Sequence, residues 1–202
     1  MSVRSEKKPI LFITGWVGTS NHFIVLENRL KIDGWNVFTL NLKHHDVNDL
    51  EKAAEEIQHT VEDIKIKTNA THVDLLCHSI AGLVARYYIK FLGGINSVKH
   101  YVSLGTPHYG TTINFLGEGK NLEHLQPNSG FLDQLNLPVE TTGTIYYTAI
   151  WSSADEAIQP VENAKFKTES SYVQNCEVKG LSHLELLTHV DAYTFVKEGL
   201  LK

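Results

Sequence analysis

The sequence has few cysteines, no long apolar run and no excess of positive charge. Cys77 and Cys176 are the two cysteines among 202 residues, and both lie in apolar, strand-like segments, so we expect buried free thiols rather than a disulfide framework. Acidic residues outnumber basic ones, 23 against 18, for a formal net charge of −5. This balance argues against nucleic acid or an anionic membrane surface as a partner.

Segments that would direct the chain to a membrane are also lacking. Residues 1–8 are polar and charged, without the apolar core of a signal peptide. No apolar run approaches the ~20 residues needed to cross a bilayer. We therefore expect a soluble protein, cytoplasmic as the sequence stands and secreted if a leader has been removed. The 11 histidines are scattered, so their number predicts no metal site.

Short apolar segments alternate with segments of helical period along most of the chain. The segments predicted as strands are 9–14, 35–42, 72–77, 98–104, 145–151 and 172–178, and those predicted as helices are 21–30, 49–67, 80–92 and 184–201. This alternation predicts one α/β domain over residues 1–202, with a mostly parallel, six-stranded sheet between two layers of helices. The functional site of such a sheet lies beyond the carboxyl ends of its strands.

One stretch, residues 108–144, interrupts this alternation. It shows no sustained period and contains prolines and several glycines. A connection of this length is usually a functional loop, a small cap or a short helix pair. We therefore expect an extended loop or small cap at residues 109–140.

Ser79 stands between the third predicted strand and the helix that follows it. The segment CHSIAG has small residues, Cys77 and Ala81, two positions before and two after this serine. A serine on such a strand-to-helix turn is typical of a nucleophile elbow, although the strict G-x-S-x-G pattern is missed at both glycines. The alternative is a serine that simply caps the helix. A serine nucleophile needs a base, and in this arrangement an acid and then a histidine follow it in the chain.

Asp155 is the candidate for the acid. It follows the fifth predicted strand by the short turn Ser152-Ser153-Ala154, where such an acid is expected. Asp133 and Glu156 are the alternatives, the first within the irregular stretch and the second adjacent in sequence. A further alternative for Asp155 is a helix N-cap.

His183 is the candidate for the base. It follows the sixth predicted strand through a turn that contains Gly180. His189 comes later but is expected inside the last helix, and His78, beside the serine, is interpreted as a packing or hydrogen-bonding residue. Residues 44–46 (HHD) are interpreted as solvated surface rather than as metal ligands, with the rim of the cleft as the alternative.

Acyl transfer also requires two N–H groups that stabilise the developing oxyanion. The expected donors are the amide of Ile80, after the nucleophile, and that of Trp16, in the loop TGWVG after the first strand. The alternative for this loop is a simple glycine turn. Candidates to line an acyl pocket, each equally suited to a core, are Gly15, Trp16, Val17, Ile80, Tyr109 and Trp151.

These segments together resemble those of small bacterial lipases of the α/β-hydrolase superfamily, especially the minimal, lid-less lipases of bacilli. ITGWVG resembles their HGxGG oxyanion segment, VDLLCHSIAGLVARYYIK their nucleophile strand and helix, IYYTAIWSSAD the segment with the acid, and VKGLSHLELL the segment with the base. The similarity runs from about Ile10 to the C-terminus. It implies an α/β-hydrolase fold with Ser79, Asp155 and His183 as a catalytic triad.

The resemblance has departures. Thr14 replaces the histidine that usually opens the oxyanion loop, Cys77 replaces a smaller elbow residue, and the irregular stretch is longer than in minimal lipases, which suggests a partly covered site. Within that stretch, GTPHYGT and LQPNSGFLDQLN resemble segments of larger triacylglycerol lipases.

The sequence therefore predicts a carboxylic ester hydrolase, without cofactor or metal, that acts on a small ester or lipid as a monomer. A thioesterase, amidase or acyltransferase would use the same residues, since the motifs do not specify the acceptor. A catalytically silent protein of this fold that binds a ligand is the alternative outside enzymes.

Overall fold

The computed structural model describes residues 8–16, 20–45, 47, 49–114 and 122–202. The strands are β1 Ile10–Thr14, β2 Val37–Asn41, β3 Asp74–His78, β4 His100–Leu104, β5 Tyr146–Trp151 and β6 Val173–Glu177. The α-helices are α1 Ser20–Ile32, α2 Leu50–Thr68, α3 Ala81–Phe91, α4 Gly130–Asn136 and α5 Val190–Leu200. Every predicted strand and helix is present, so the predicted alternation is confirmed.

The six strands form one parallel sheet in the order β2-β1-β3-β4-β5-β6. The chain starts in the interior at β1, adds β2 on one side and then crosses to β3 on the other. The order of addition therefore reverses between β1 and β3, and ligands of open α/β sheets bind at such a reversal. The loop after β1 and the turn after β3 meet there.

The sheet separates two hydrophobic clusters because its side chains alternate between the two faces. Leu11 and Ile13 of β1 pack in one cluster with buried residues of α2, α3 and α4. Ile10 and Phe12 pack in the other with buried residues of α1 and α5. Burial on both faces explains why β1 has an almost continuous apolar sequence.

The last predicted helix, residues 184–201, is wrong in its first part. A short 3-10 helix covers Glu185–Leu187, and α5 begins only at Val190. His189 is the N-cap of α5, where its Nδ1 accepts the N–H of Asp191, instead of lying inside a helix. The second strand is also shorter than predicted: β2 covers Val37–Asn41 instead of residues 35–42. Trp35 packs in the core before this strand begins.

Part of the irregular stretch is helical and tied to α3. Its described residues form a 3-10 helix at Glu123–Leu125 and the helix α4. The Lys90 ammonium lies within hydrogen-bond distance, 2.8–3.0 Å, of four carbonyl oxygens and shares its three N–H groups among them. These are the carbonyls of Gln134, Leu135, Leu137 and Val139. The Arg86 guanidinium donates to the carbonyls of Leu135 and Glu140. Both cations lie at the carboxyl end of α4, where unpaired carbonyls carry partial negative charge, so they hold this segment against α3.

Both cysteines are buried free thiols, as the sequence predicted. Burial raises the pKa of the Cys77 thiol well above its ordinary value and that of Cys176 to about 11.

No helix within the described ranges is long and apolar enough to cross a membrane. Those ranges also contain no group of three or more His, Cys, Asp or Glu residues placed to hold a metal ion.

Candidate active site

Ser79 occupies a strained turn between β3 and α3. Its φ of 59° lies in the left-handed region, which costs a non-glycine residue roughly 1–3 kcal/mol. Three hydrogen bonds hold its peptide groups: its N–H donates to the Leu104 carbonyl at 2.9 Å, and its carbonyl accepts the Thr106 hydroxyl at 2.8 Å and the Gly82 N–H at 3.0 Å. The alternative of a helix-capping serine is not supported, because Ile80 occupies the N-cap of α3.

Small residues around Ser79 let the strand and the helix approach. Cys77 and Ala81 are completely buried at the flanking positions. One position further, Gly82 is required sterically, since a Cβ there would lie 2.2 Å from the Thr106 hydroxyl oxygen and 2.7 Å from the Tyr101 hydroxyl. The elbow therefore tolerates a cysteine and an alanine where glycines are usual, but needs its glycine at position 82.

The structure brings Ser79, His183 and Asp155 into one hydrogen-bonded chain. The Ser79 Oγ lies 2.9 Å from His183 Nε2. The Asp155 carboxylate oxygens lie 2.9 and 3.0 Å from His183 Nδ1. A carboxylate accepts only, so Nδ1 carries the proton and Nε2 is free to accept the serine hydroxyl proton. All three side chains are at most 2% exposed, so water competes little for these hydrogen bonds.

The loop that carries Asp155 is tied to the loop that carries His183. The Ser152 hydroxyl oxygen accepts the N–H of Ala154 and that of Leu181, each at 3.1 Å. Asp155 Oδ1 also accepts the Ala157 N–H at 2.9 Å, which orients the carboxylate. These bonds set the distance between acid and histidine through the main chain.

The alternatives for acid and base take other positions. Glu156 accepts the main-chain N–H of His183 at 3.0 Å, so it contacts the backbone of His183 and not its ring. Asp133 lies within α4, and His189 caps α5 with a partly exposed side chain. His78 is buried with its Nε2 near the His183 carbonyl, in agreement with a packing or hydrogen-bonding residue.

The loop after β1 lies beside the elbow. The Cβ position of Gly15 is 3.8 Å from the Ala81 backbone nitrogen, directly after Ile80. No main-chain hydrogen bond between described residues uses the N–H of Ile80 or of Trp16.

Two contacts brace this loop where the usual histidine is missing. The Thr14 hydroxyl is 3.4 Å from the Leu40 carbonyl, and the Trp16 indole Nε1–H donates to the His45 carbonyl at 3.0 Å. The His45 ring is 2.6 Å from the Glu56 carboxylate and mostly buried, so its interpretation as solvated surface was wrong. Asp46 and the His44 side chain lie outside the described part of the molecule.

The predicted pocket residues are only partly placed. Val17 lies outside the described residues. Tyr109 borders a cavity of about 200 Å³ between α4 and Lys167, and the Lys167 ammonium lies 3.7 Å from its ring centroid. The Trp151 ring has the Lys165 ammonium 4.6 Å from its centroid. A role of these two rings in an acyl pocket stays a prediction.

Sequence reasoning noted the segment GTPHYGT after β4 but assigned no role to its first two residues, Gly105 and Thr106. Gly105 has a φ of 54°, and a Cβ there would lie 3.0 Å from Asp155 Oδ2 and from the His183 ring. Thr106 holds the Ser79 carbonyl. The available signal was a glycine and a small polar residue directly after a buried strand, where the site of a parallel sheet is expected.

Solved structures with the same fold include lipases. Lipase B of Aspergillus fumigatus matches with 18% identity and a TM-score of 0.84 over 98% of this chain, which spans about half (53%) of the fungal chain. The mature form of the Bacillus licheniformis lipase BlEst2 matches with 15% identity and a TM-score of 0.77, over 96% of this chain and 92% of that one. The lin2722 gene product of Listeria innocua matches with 14% identity and a TM-score of 0.68, over 97% and 94%.

These likenesses confirm the expected α/β-hydrolase fold and the similarity to small lipases and esterases. At this level of identity they establish the fold alone. Family membership comes from the sequence: the model of the palmitoyl protein thioesterase family matches residues 19–147, more than half of the chain. The chain therefore belongs to the palmitoyl protein thioesterase family of α/β-hydrolases.

Proposed function

We propose that this protein is a serine hydrolase that cleaves carboxylic esters through an acyl-enzyme intermediate. The observation that supports this most directly is the buried chain in which Ser79 Oγ lies 2.9 Å from His183 Nε2 and the Asp155 carboxylate lies 2.9 Å from Nδ1. In this proposal Ser79 is the nucleophile, His183 the general base and Asp155 the acid that orients the imidazole.

The first half of the reaction acylates Ser79. Its oxygen forms a bond to the substrate carbonyl carbon while its proton passes to His183 Nε2. Asp155 stabilises the resulting imidazolium through Nδ1–H. The imidazolium then gives the proton to the leaving oxygen or sulfur as the carbon–heteroatom bond breaks. Water, which gives a proton to His183, then attacks the acyl carbon. The bond between this carbon and Ser79 Oγ breaks, the imidazolium returns the proton to Oγ, and the carboxylic acid is released.

The tetrahedral intermediates place negative charge on the former carbonyl oxygen. We assign its stabilisation to the N–H groups of Ile80 and Trp16, which other main-chain groups of the described residues leave unused. Loss of one such donor costs about 3 kcal/mol of transition-state stabilisation in enzymes of this type. The strained φ of Ser79 supports this geometry, because it turns the side chain out of the strand while the next amide stays in the turn.

Thioesters are the second candidate substrate class. The family match favours them, since the family is described by thioester hydrolysis on palmitoylated protein. The same residues serve both classes, because the acyl-enzyme is identical and only the leaving atom differs. An acyltransferase would differ in the acceptor that replaces water.

The test compares the wild type with Ser79→Ala on p-nitrophenyl esters of increasing chain length and on palmitoyl-coenzyme A. We expect the wild type to turn over and the variant to fall to background. A fluorophosphonate probe followed by intact-mass measurement should add one phosphonyl group to the wild type and none to Ser79→Ala. The kcat/KM ratio between ester and thioester of equal chain length identifies the preferred class.

Three outcomes would contradict the proposal. Equal turnover by wild type and Ser79→Ala would remove Ser79 as nucleophile. Absence of both turnover and probe labelling in the folded wild type would favour the catalytically silent ligand-binding protein. Product that appears only when an alcohol or amine acceptor is added would identify an acyltransferase.

A further inference from the structure

A second histidine contacts His183 and has no part in the reaction outlined above. His78 ends β3, directly before Ser79, and is completely buried. Its ring centroid lies 4.7 Å from that of His183 and 6.1 Å from that of Phe23 on α1. Its Nε2 lies 3.2 Å from the main-chain carbonyl oxygen of His183.

These contacts determine where His78 carries its proton. A carbonyl oxygen only accepts, so the hydrogen bond requires the proton on His78 Nε2. Nδ1 then has a bare lone pair, and this buried atom has no hydrogen-bond partner among the described residues. A second proton on Nδ1 would create a buried charged donor without an acceptor, which is strongly unfavourable.

The electrostatic surroundings act in the same direction. Burial lowers the pKa of His78 well below its ordinary value, and the charge of His183, together with that of His22 on α1, lowers it further. The hydrogen bond to the His183 carbonyl partly opposes this shift of the pKa. His78 thus stays neutral while the neighbouring imidazole accepts a proton.

The main chain of His183 is held on both sides. Its N–H donates to Glu156 Oε2 at 3.0 Å, and its carbonyl accepts the His78 Nε2–H. Glu156 follows Asp155 and His78 precedes Ser79 in the chain. The residue that carries the base is therefore tied directly to the neighbours of the acid and of the nucleophile.

We propose that His78 is a positioning residue for His183: as a neutral imidazole protonated at Nε2, it anchors the His183 carbonyl and packs against its ring. The base then keeps its distance to the Ser79 hydroxyl when it becomes charged. This inference rests on the proposed function for its effect on catalysis, but the protonation state and the hydrogen bond are properties of the resting protein.

The first test needs no substrate. The wild type with ¹⁵N-labelled histidine is titrated by NMR from pH 5 to 8, and the ring nitrogen resonances of His78 are assigned by their loss in His78→Gln. We expect these resonances to show a protonated Nε2 and an unprotonated Nδ1, and not to shift with pH over this range. A His78 that titrates in this range, or that carries its proton on Nδ1, would overturn the inference. An inactive wild type would contradict the proposed function and leave this measurement unaffected.

The second test separates the hydrogen bond from the volume of the ring. His78→Phe keeps an aromatic ring but loses the donor, whereas His78→Gln keeps an N–H donor near the Nε2 position. We expect kcat on a p-nitrophenyl ester to fall about tenfold or more in His78→Phe, because displacement of a catalytic group by less than 1 Å has effects of this size. KM should change little, and His78→Gln should recover most of kcat.

The matched control is His100→Gln, which alters a buried histidine at the opposite end of the sheet. It should leave kcat unchanged at a temperature where circular dichroism shows all variants folded. Equal kcat in wild type and His78→Phe, or an equal loss in His78→Gln and His78→Phe, would contradict the anchoring role. A loss of kcat in His100→Gln equal to that in His78→Phe would show that the effect is general destabilisation. This result would also contradict the anchoring role of His78.

Discussion

The Thr106 hydroxyl donates a 2.8 Å hydrogen bond to the main-chain carbonyl of Ser79. Ser79 has a φ of 59°, and both of its peptide groups are held by residues at the end of β4, namely Leu104 and Thr106. The adjacent strand therefore maintains the strained conformation that the proposed nucleophile requires. Backbone strain of this kind persists only where neighbouring structure opposes its relaxation.

Thr106→Val tests this support. Valine has a similar shape but no hydroxyl, so the Ser79 carbonyl would keep the Gly82 N–H at 3.0 Å but lose the Thr106 hydroxyl, at a cost of about 0.5–1.5 kcal/mol in the free energy of unfolding. We expect kcat to fall about tenfold with little change in KM, since a small displacement of Ser79 Oγ weakens its contact with His183. Steady-state kinetics and urea unfolding measure both effects. The control is Thr148→Val, which alters another buried threonine, on β5. An equal loss of kcat in Thr148→Val would contradict the specific role of Thr106.

Gly105→Ala should disturb the Asp155–His183 pair. A methyl group at this position would lie 3.0 Å from Asp155 Oδ2 and from the His183 ring, on a backbone with a φ of 54°. We expect a loss of roughly 1–3 kcal/mol in stability from the left-handed conformation and at least a hundredfold loss of kcat from the displaced pair.

Gly34→Ala is the matched control for that change. Gly34 also has a positive φ, 87°, but a Cβ there would meet no atom within 4 Å. We expect Gly34→Ala to lose a similar free energy of unfolding and to keep the kcat of the wild type. If Gly105→Ala and Gly34→Ala had the same kcat, the proposed contact with the Asp155–His183 pair would be wrong.

Trp16→Phe tests whether the indole holds the loop after β1. Phenylalanine keeps most of the apolar surface but loses the Nε1–H that donates to the His45 carbonyl at 3.0 Å. If the loop presents an oxyanion donor, kcat should fall about tenfold while KM changes little, because the lost alignment matters mainly in the transition state. A raised KM with unchanged kcat would instead assign the indole to substrate binding.

His108 predicts a dependence of stability on acidity. Burial, and then the charge of Arg86, lower the pKa of His108 well below its usual value. The unfolded chain therefore binds more protons below about pH 6.5, and stability falls as the pH decreases, by up to ~1.4 kcal/mol per pH unit for one such group. Above the unfolded pKa this contribution is fully present.

His108→Gln should flatten that dependence. Glutamine does not titrate. Its amide oxygen can accept a hydrogen bond from the Arg86 guanidinium, as His108 Nδ1 does from Arg86 Nη1 at 3.4 Å. Urea unfolding at pH 5.0, 6.0 and 7.0 should show a smaller slope of unfolding free energy against pH in the variant, by up to ~1.4 kcal/mol per unit. Parallel slopes for the two proteins would show that folding does not lower the pKa of His108 and would contradict the prediction.

The sequence by itself determined the alternation of strands and helices and the chain order of the candidate residues. Helical and strand periods are local properties, as are the turns that place Ser79, Asp155 and His183 after buried strands. The departures lie where local pattern is weak: α5 begins at Val190 because His189 caps it, and α4 lies in a stretch without sustained period.

Tertiary structure decided which of these residues meet. Ser79 and His183 are 104 positions apart, and their 2.9 Å contact depends on the strand order that places β3 near the loops after β5 and β6. Only this packing distinguishes Asp155 from Glu156, because one carboxylate reaches the ring of His183 and the other its main chain. The same holds for the support from Thr106 and His78, since a hydrogen bond between distant segments depends on relative positions in space that no local period specifies.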